Sequence, residues 1–162
     1  GVLMNKSLFI IGLFVVLGMM FSATNISGCY NITTSNHYIV NVSGIDAGGH
    51  TCIKINVSNV TLNLNGSTIT NASGDGHYAI YVHGTLSNPL INVTIVNGTV
   101  NGSHDGIRFV HVENSTVSYV NALYNKRYGF YLFSSSNNTL TNNTAHDNQD
   151  GFLLYSSSYN IF

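Results

Sequence analysis

Apolar and polar positions along the 162-residue chain recur at a fixed spacing, and the repeat is clearest near its C-terminal end. Residues 128–149 and 150–162 align so that Gly129 and Gly151, 22 residues apart, are each followed by two apolar residues flanking a variable one. A period of about 20 to 50 residues indicates a solenoid, because each turn buries its apolar face only by stacking on its neighbours. The pattern therefore predicts a stack of similar coils.

A short strand is predicted at the start of every coil, where a small residue precedes the apolar pair. The small position is held by Cys52, Ala79, Gly106, Gly129 and Gly151. Alternation predicts that the residue between the two apolar ones faces outward. These outward positions form a predicted column of Lys54, Tyr81, Arg108, Tyr131 and Leu153.

Two further strands are predicted in each coil. The second begins at an asparagine, and these residues are expected to stack as a ladder of amide hydrogen bonds: Asn59, Asn92, Asn114 and Asn137. The third is marked by one inward apolar residue per coil: Ile69, Val100, Ala122 and Ala145. Residues 86–90 lengthen one coil and are expected to lie at a turn, where insertions are tolerated.

Three short parallel strands per coil of roughly 22–28 residues predict an all-β parallel β-helix of about five coils over residues 52–162. Residues 24–51 carry no clean repeat and are assigned to an N-terminal cap and an irregular first coil. Phe162 aligns with Leu140, which leaves the last coil without its third strand. We therefore expect further coils or an end-to-end stacking partner, since an open solenoid end exposes strand edges and core.

The N-terminal segment predicts export. Lys6 precedes about fourteen uncharged, mostly apolar residues, a length typical of a signal-peptide core and short for a membrane span, so residues 1–23 are interpreted as a signal peptide. The protein is then secreted or held at the cell surface. The alternative from the segment 26–29 is a lipid anchor on Cys29, which resembles a lipobox cysteine.

The two cysteines of the chain predict a disulfide. Cys29 and Cys52 are 23 residues apart, about one coil, and residues one coil apart lie about 4.8 Å from each other in a stacked solenoid. That separation is within the range a disulfide allows, and an exported protein meets oxidising conditions. We expect the bridge to tie the N-terminal strand to the first coil.

The composition excludes nucleic acid as a main partner, because only 7% of the residues are charged and the net charge is −1. Sequons are dense, and in an exported protein they predict N-glycosylation. The alternative is that asparagine and threonine are simply the turn and ladder residues of the repeat. The sequons considered are Asn31, Asn41, Asn56, Asn71, Asn97 and Asn101.

The Gly-Phe-Tyr-Leu-Phe-Ser-Ser-Ser segment at 129–136, with the Asn- and Thr-rich stretch after it and the Cys29 and Cys52 opening, carries a family resemblance. From residue 29 to 162 the chain resembles right-handed parallel β-helix proteins of archaeal and bacterial surfaces, including copper-insertion-type periplasmic β-helix proteins. The resemblance implies the right-handed form of the fold. It implies no single activity, because the same fold carries pectin lyases, polygalacturonases, epimerases and adhesins.

The outward column of Lys54, Tyr81, Arg108 and Tyr131 alternates cations with aromatic rings, a combination suited to an anionic glycan. We therefore predict a binding or structural module associated with a polysaccharide or glycan surface and carrying no catalytic residues. The alternative is a fragment of a polysaccharide lyase or glycoside hydrolase using Asp105 and Asp150, which are expected about 10 Å apart.

Histidine recurs two residues before the small position of three successive coils, at His50, His77 and His104, 27 residues apart each time. Stacking would bring neighbouring imidazoles within reach of one Cu or Zn ion, with Asp75 or Asp105 as a further ligand or acceptor. The resemblance to copper-associated β-helix proteins points the same way. The alternative is a plain ladder of stacked turn residues without metal.

Overall fold

The computed structural model describes residues 22–72 and 75–162, so the signal peptide predicted over residues 1–23 lies almost wholly outside the described residues. All regular elements among the described residues are strands, and none of these residues forms a helix able to cross a membrane. The strands of the N-terminal half are β1 (Thr24–Ile26), β2 (Tyr30–Ile32), β3 (His37–Val40), β4 (Gly44–Asp46), β5 (Ile53–Ile55), β6 (Val60–Asn63), β7 (Thr68–Thr70), β8 (Tyr78–His83) and β9 (Leu90–Ile91). Those of the C-terminal half are β10 (Val93–Asn101), β11 (Asp105–Val110), β12 (Val112–Glu113), β13 (Thr116–Leu123), β14 (Tyr128–Phe133), β15 (Thr139–Thr141), β16 (Thr144–His146) and β17 (Asp150–Tyr155).

Strands one coil apart pair in parallel, which confirms the predicted parallel β-helix of about five coils. The first strands of successive coils form a six-stranded sheet in the order β2-β5-β8-β11-β14-β17. A nine-stranded sheet contains the second and third strands, and in β10 and β13 these two strands run on as one continuous element. We call the six-stranded layer the first sheet and the nine-stranded layer the second sheet.

The register of the first sheet is the predicted one. Ile53 pairs with Ile80, Ile80 with Ile107, and the series continues through Phe130 and Phe152. The third-strand positions also pair as predicted, in the series Ile69, Val100, Ala122 and Ala145. Period-two alternation within strands thus sets which side chains enter the core.

Close packing inside the coils explains the small residue that precedes each first strand. A Cβ atom built on Gly106 would lie 2.6 Å from the carbonyl oxygen of Gly129 and 2.9 Å from Cγ2 of Val100. The alternation of inward and outward residues is interrupted by a bend at this point, since Gly106 and Ile107 are consecutive buried residues. This bend brings Asp105 and Arg108 to the same side of β11.

Residues 24–51, which the sequence assigned to a cap and an irregular first coil, contain β1 to β4. Strands β2, β3 and β4 pair in parallel with β5, β6 and β7. The repeat is hard to recognise in this part of the sequence because residue types at core positions differ from those of later coils. Tyr38, for example, is buried and pairs with Leu62. Cys29 is bonded to Cys52, with the two Cα atoms 4.4 Å apart, which confirms the predicted disulfide and leaves Cys29 no free sulfur for a lipid.

The insertion lies at the turn after β8. Thr85 and Asn88 close a tight turn through two backbone hydrogen bonds. Leu90, placed inside the insertion by the sequence, instead belongs to β9, is buried and pairs with Val112 of β12. The inserted residues therefore leave the core register unchanged.

Asparagine and serine side chains bind the backbone of neighbouring coils at the turns. Asn59 and Asn92 share the predicted side-chain bond, at 2.9 Å. A longer buried ladder lies one residue further along: Asn138 accepts from the backbone amide of Ser115, and the amide of Asn138 is bound by Asn160. These side chains satisfy backbone groups that the turns would otherwise bury unpaired.

Candidate functional site

The candidate ligand-binding side chains lie on the outer side of the first sheet. The predicted ligand-binding residues form one column, because Lys54 pairs with Tyr81, Tyr81 with Arg108, and Arg108 with Tyr131. Lys54 is exposed and the other three are half-buried. We call the surface formed by Tyr78, Tyr81, Asp105, Arg108, Tyr128 and Tyr131 the tyrosine–arginine face.

Arg108 lies at the centre of this face. Its guanidinium carbon is 4.4 Å from the ring centroid of Tyr131 and 5.0 Å from that of Tyr78, on the neighbouring coils. Both distances allow cation–π attraction, which strengthens as the cation loses water. Arg108 is therefore held in a fixed position while part of its side chain, 22% by exposed area, still meets solvent.

Asp105 supports Arg108 from beneath. Its side chain is fully buried, Oδ2 accepts a hydrogen bond of 2.9 Å from Nη1 of Arg108, and Oδ1 lies 3.0 Å from Nδ1 of His104. A buried carboxylate requires such partners, since an unpaired one is strongly disfavoured away from water. With both oxygens engaged and shielded, Asp105 positions the arginine and is poorly placed to act as a general acid.

Two matching tyrosine pairs flank the Asp105–Arg108 pair. Ring centroids are 5.0 Å apart in Tyr78 and Tyr81 and 5.1 Å apart in Tyr128 and Tyr131, with interplanar angles of 53° and 51°. Register confirms the arrangement, because Asp105 pairs with both Tyr78 and Tyr128. The coil carrying the ion pair thus lies between two coils of equivalent aromatic geometry.

Tyr78 and Tyr128 were missed by the sequence reading, which considered only the middle residue of each strand triplet. The available signal was a tyrosine directly before the small position in two coils. Strict alternation of inward and outward residues would place that tyrosine on the inner side of its strand. The bend at the small position instead brings it beside the outward tyrosine of the same strand.

Further aromatic side chains extend the face, two residues beyond the column of Tyr81 and Tyr131 on the same strands. His83 stacks on Tyr81, with centroids 5.2 Å apart, and Phe133 stacks on Tyr155 at 5.5 Å with an interplanar angle of 4°. Pairing of β14 with β17 places Phe133 beside Tyr155. The outer side of the first sheet is therefore an extended aromatic surface across several coils.

Two phenols of this surface, those of Tyr81 and Tyr131, are held in their neutral form. Burial raises the pKa of Tyr81 and of Tyr131, and the positive charge of Arg108 partly opposes that rise. Both hydroxyl groups therefore remain protonated, and available as hydrogen-bond donors, across neutral and mildly alkaline pH.

The three histidines of the predicted metal site are arranged as a pair and a separate residue. The rings of His50 and His77 meet edge to face, with centroids 5.8 Å apart, whereas His104 is bonded to Asp105. Asp75 is bound to Lys126 at 2.8 Å, so its carboxylate has a cationic partner already. Within residues 22–72 and 75–162 no group of three or more His, Cys, Asp or Glu side chains is arranged to hold a metal ion, and the Cu or Zn site stays a prediction.

The two aspartates of the enzymatic alternative share one column, since Asp105 pairs with Tyr128 and Tyr128 pairs with Asp150. Asp150 is exposed, whereas Asp105 is buried and bound to Arg108. The two aspartates lie two coils apart, and the spacing of about 10 Å stays a prediction from the strand separation. The environment of Asp105 is that of a structural anion.

The sequons differ in accessibility. Asn71 is fully buried and its side chain binds the backbone of Gly49 and His50, so it cannot accept a glycan in the folded protein. Asn31 accepts a hydrogen bond from Asn56 on the next coil. Side chains exposed at other sequons include those of Asn41 and Asn97.

A family model described as the right handed beta helix region matches residues 20–162, which covers all the strands described above. No curated protein and no solved structure matches the chain.

Proposed function

The chain belongs to the right-handed β-helix family, and from this premise we propose that it is an exported binding module whose tyrosine–arginine face binds an anionic polysaccharide. The fold alone supports no activity, since unrelated functions share it. The proposal depends on the side chains of one outer surface.

The observation that carries the proposal is the clamped guanidinium of Arg108. The buried carboxylate of Asp105 and the rings of Tyr78 and Tyr131 fix its orientation before any ligand arrives. A preorganised guanidinium binds carboxylate or sulfate groups at low entropic cost, because its fork of donors matches their geometry. The remaining donors of Arg108 are the natural contact for the acid group of a uronate unit.

The surroundings of Arg108 fit a sugar polymer better than a small anion. Tyrosine rings offer apolar faces for the C–H side of a pyranose, and their hydroxyl groups offer hydrogen bonds. The face spans consecutive coils about 4.8 Å apart, so it presents repeated contacts along one line. An extended chain with acid groups at intervals can use that repetition.

Positive side chains near the face support an anionic ligand. Lys54 lies in the same column as Arg108, and Arg127 lies at the edge, with its guanidinium carbon 4.8 Å from the ring centroid of Tyr128 and Nη2 donating to the Tyr128 hydroxyl at 2.7 Å. Arg127 is largely exposed. Such rim cations speed association and add affinity that falls as salt rises.

Export is part of the proposal because a polysaccharide of this kind lies outside the cytoplasm. The Cys29–Cys52 bridge supports it, since disulfides persist mainly in oxidising compartments. The predicted signal peptide is consistent with secretion or display at the cell surface.

Affinity electrophoresis in gels containing polygalacturonate, alginate or neutral glucan tests the proposal. We expect retardation by at least one acidic polymer that weakens at high salt, whereas any retardation by neutral glucan should not depend on salt. No retardation by either acidic polymer would reject it. Release of reducing ends or of unsaturated products from the same polymers would instead favour the lyase or hydrolase alternative.

A further inference from the structure

We propose that a groove at the corner between the second and third strands binds a neutral saccharide, at a site separate from the tyrosine–arginine face. The groove has a volume of about 480 Å³. Its lining includes Asn65, Asn97, Thr99, Tyr119 and Asn121. These residues come from three successive coils, so the groove crosses the stack.

The groove exists because the chain dips inward at Gly98. A Cβ atom on Gly98 would lie 2.4 Å from Cβ of Leu64 and 2.9 Å from the carbonyl oxygen of Ser67. Only a glycine allows this close approach to the buried Leu64, so the backbone at Gly98 lies low between the exposed corner residues on either side. The walls are then formed by the side chains that project from the corner on either side.

Tyr119 stands out among the corner residues. The equivalent positions of other coils hold Asn65, Asn97 and Asn142, with φ angles of 53°, 61° and 56°, and asparagine tolerates this left-handed conformation. Tyr119 adopts the same conformation, at φ 56°, although a bulky side chain disfavours it. The residue remains 61% exposed, so the strain is not offset by burial. Tyr124 and Tyr159 adopt this conformation at other turns, so Tyr119 is distinguished from them by its place on the lining of the groove.

The lining matches the chemistry of a sugar ring. The exposed Tyr119 ring can stack against the apolar face of a pyranose, and the amides of Asn97 and Asn121 provide both donors and acceptors for hydroxyl groups. The Thr99 hydroxyl adds another partner. No charged side chain lines the groove, which favours a neutral saccharide over a uronate.

The position of the groove makes it independent of the proposed function. Each coil passes from the first sheet through its second strand, the corner and its third strand before returning, so the corner is the vertex opposite the first sheet. Variants of the corner therefore leave Arg108 and its partners unchanged. A protein with both sites would connect an acidic and a neutral polymer, with the gain in avidity expected for two linked sites.

Replacement of Tyr119 by the residue of the neighbouring coils is the test. Tyr119→Asn removes the ring, suits the left-handed conformation, and is expected to leave the melting temperature unchanged or raised. Binding of hexasaccharides of β-1,4-linked glucose, mannose and xylose is measured by NMR on protein made without N-glycosylation, because Asn97 lies in a sequon. The wild type should bind at least one with a dissociation constant on the order of 1 mM, shifting the side-chain amide signals of Asn97 and Asn121.

Tyr124→Asn is the matched control, because Tyr124 is 58% exposed, has a φ of 53° and does not line the groove. We expect Tyr119→Asn to weaken binding at least about tenfold, with Tyr119→Phe and Tyr124→Asn close to wild type. The proposal is overturned if none of the three sugars binds at about 10 mM, ten times the expected dissociation constant. It is also overturned if Tyr119→Asn binds as tightly as the wild type, or if Tyr124→Asn loses as much affinity as Tyr119→Asn. Retardation of Tyr119→Asn by the acidic polymer that retards the wild type should be unchanged, which separates failure here from failure of the proposed function.

Discussion

Two outward columns of the same coils differ sharply in composition. On the first strands the column reads Lys54, Tyr81, Arg108 and Tyr131. On the second strands the corresponding outward column reads Thr61, Thr94, Thr116 and Thr139. Both columns stand on strands with the same spacing and the same buried apolar core beneath.

The threonine column is what the fold requires of an outward strand position. A β-branched polar residue suits an extended strand, and stacked threonines add modest cross-strand contacts. Nothing in the fold requires an arginine between tyrosines above a buried aspartate, since a buried ion pair often contributes little net stability compared with apolar residues. The comparison supports the proposed binding of an acidic polymer by the outward column of the first strands, whereas the threonine column of the second strands serves the fold.

Breaking the ion pair of Asp105 and Arg108 should cause the largest loss in the free energy of unfolding. Arg108→Met leaves Asp105 buried without its cation and is expected to destabilise the protein by about 3 kcal/mol. Thr116→Ala, on the second strand of the same coil, should cost no more than about 0.5 kcal/mol. Urea denaturation of the two variants checks the difference. A loss below about 1 kcal/mol for Arg108→Met would show that Asp105 is not dependent on this partner.

Removal of one aromatic ring from the tyrosine–arginine face should cause a smaller loss in the free energy of unfolding. Tyr131→Ala removes the nearer ring against the guanidinium of Arg108, and we expect a loss of about 1–2 kcal/mol, whereas Tyr131→Phe keeps most of it. Thr139→Ala serves as the control in the same coil. If Tyr131→Phe proved as unstable as Tyr131→Ala, the hydroxyl rather than the ring would be the stabilising group.

The strand register, the inward residues and the disulfide followed from the sequence because a fixed period and an alternation of two encode them directly. Tyr78, which packs against Arg108, and Tyr128, which packs against Tyr131, did not, because both lie beyond a bend that interrupts the alternation. The buried ladder through Asn138 escaped for a similar reason, since its side chains point inward at turns. Tyr119 occupies a left-handed position that its residue type does not suggest.

Alkaline titration distinguishes the half-buried tyrosines of the first sheet from exposed tyrosines elsewhere in the chain. Because burial raises the pKa of Tyr81 and Tyr131 above the ordinary value of 10.0, the unfolded chain loses these protons first. Their contribution to stability is therefore complete below about pH 10 and is lost as the pH rises through the folded pKa.

Absorbance of tyrosinate against pH measures this directly. The wild type should show a late-titrating component that disappears in the Tyr81→Phe, Tyr131→Phe double variant. Tyr159→Phe, at a residue 85% exposed, should leave it in place. An unchanged late component in the double variant would assign it to other tyrosines.

The smallest effect is expected at the exposed ion pair of Asp75 and Lys126, which contrasts with the buried pair of the first sheet. The hydrogen bond and charge of Lys126 lower the pKa of Asp75, so Lys126→Ala should return it toward its ordinary value in an NMR titration. Any stability from the pair is present above the ordinary pKa and is lost as the pH falls through the lowered one. Because Asp75 is exposed, the melting temperature at neutral pH should not change measurably. A clear drop in melting temperature would contradict this contrast.

The most direct test of the account converts one column into the other. Calorimetry with a hexasaccharide of the acidic polymer that retards the wild type compares that protein with Tyr81→Thr, Tyr131→Thr, which copies the threonine column onto the first sheet, and with Thr94→Ser, Thr116→Ser as the matched change on the second. We expect the tyrosine variant to keep its strand content and lose at least about tenfold in affinity, and the threonine variant to bind as the wild type does. Equal binding by all three proteins, or no binding by the wild type, would contradict the assignment of function to the first sheet.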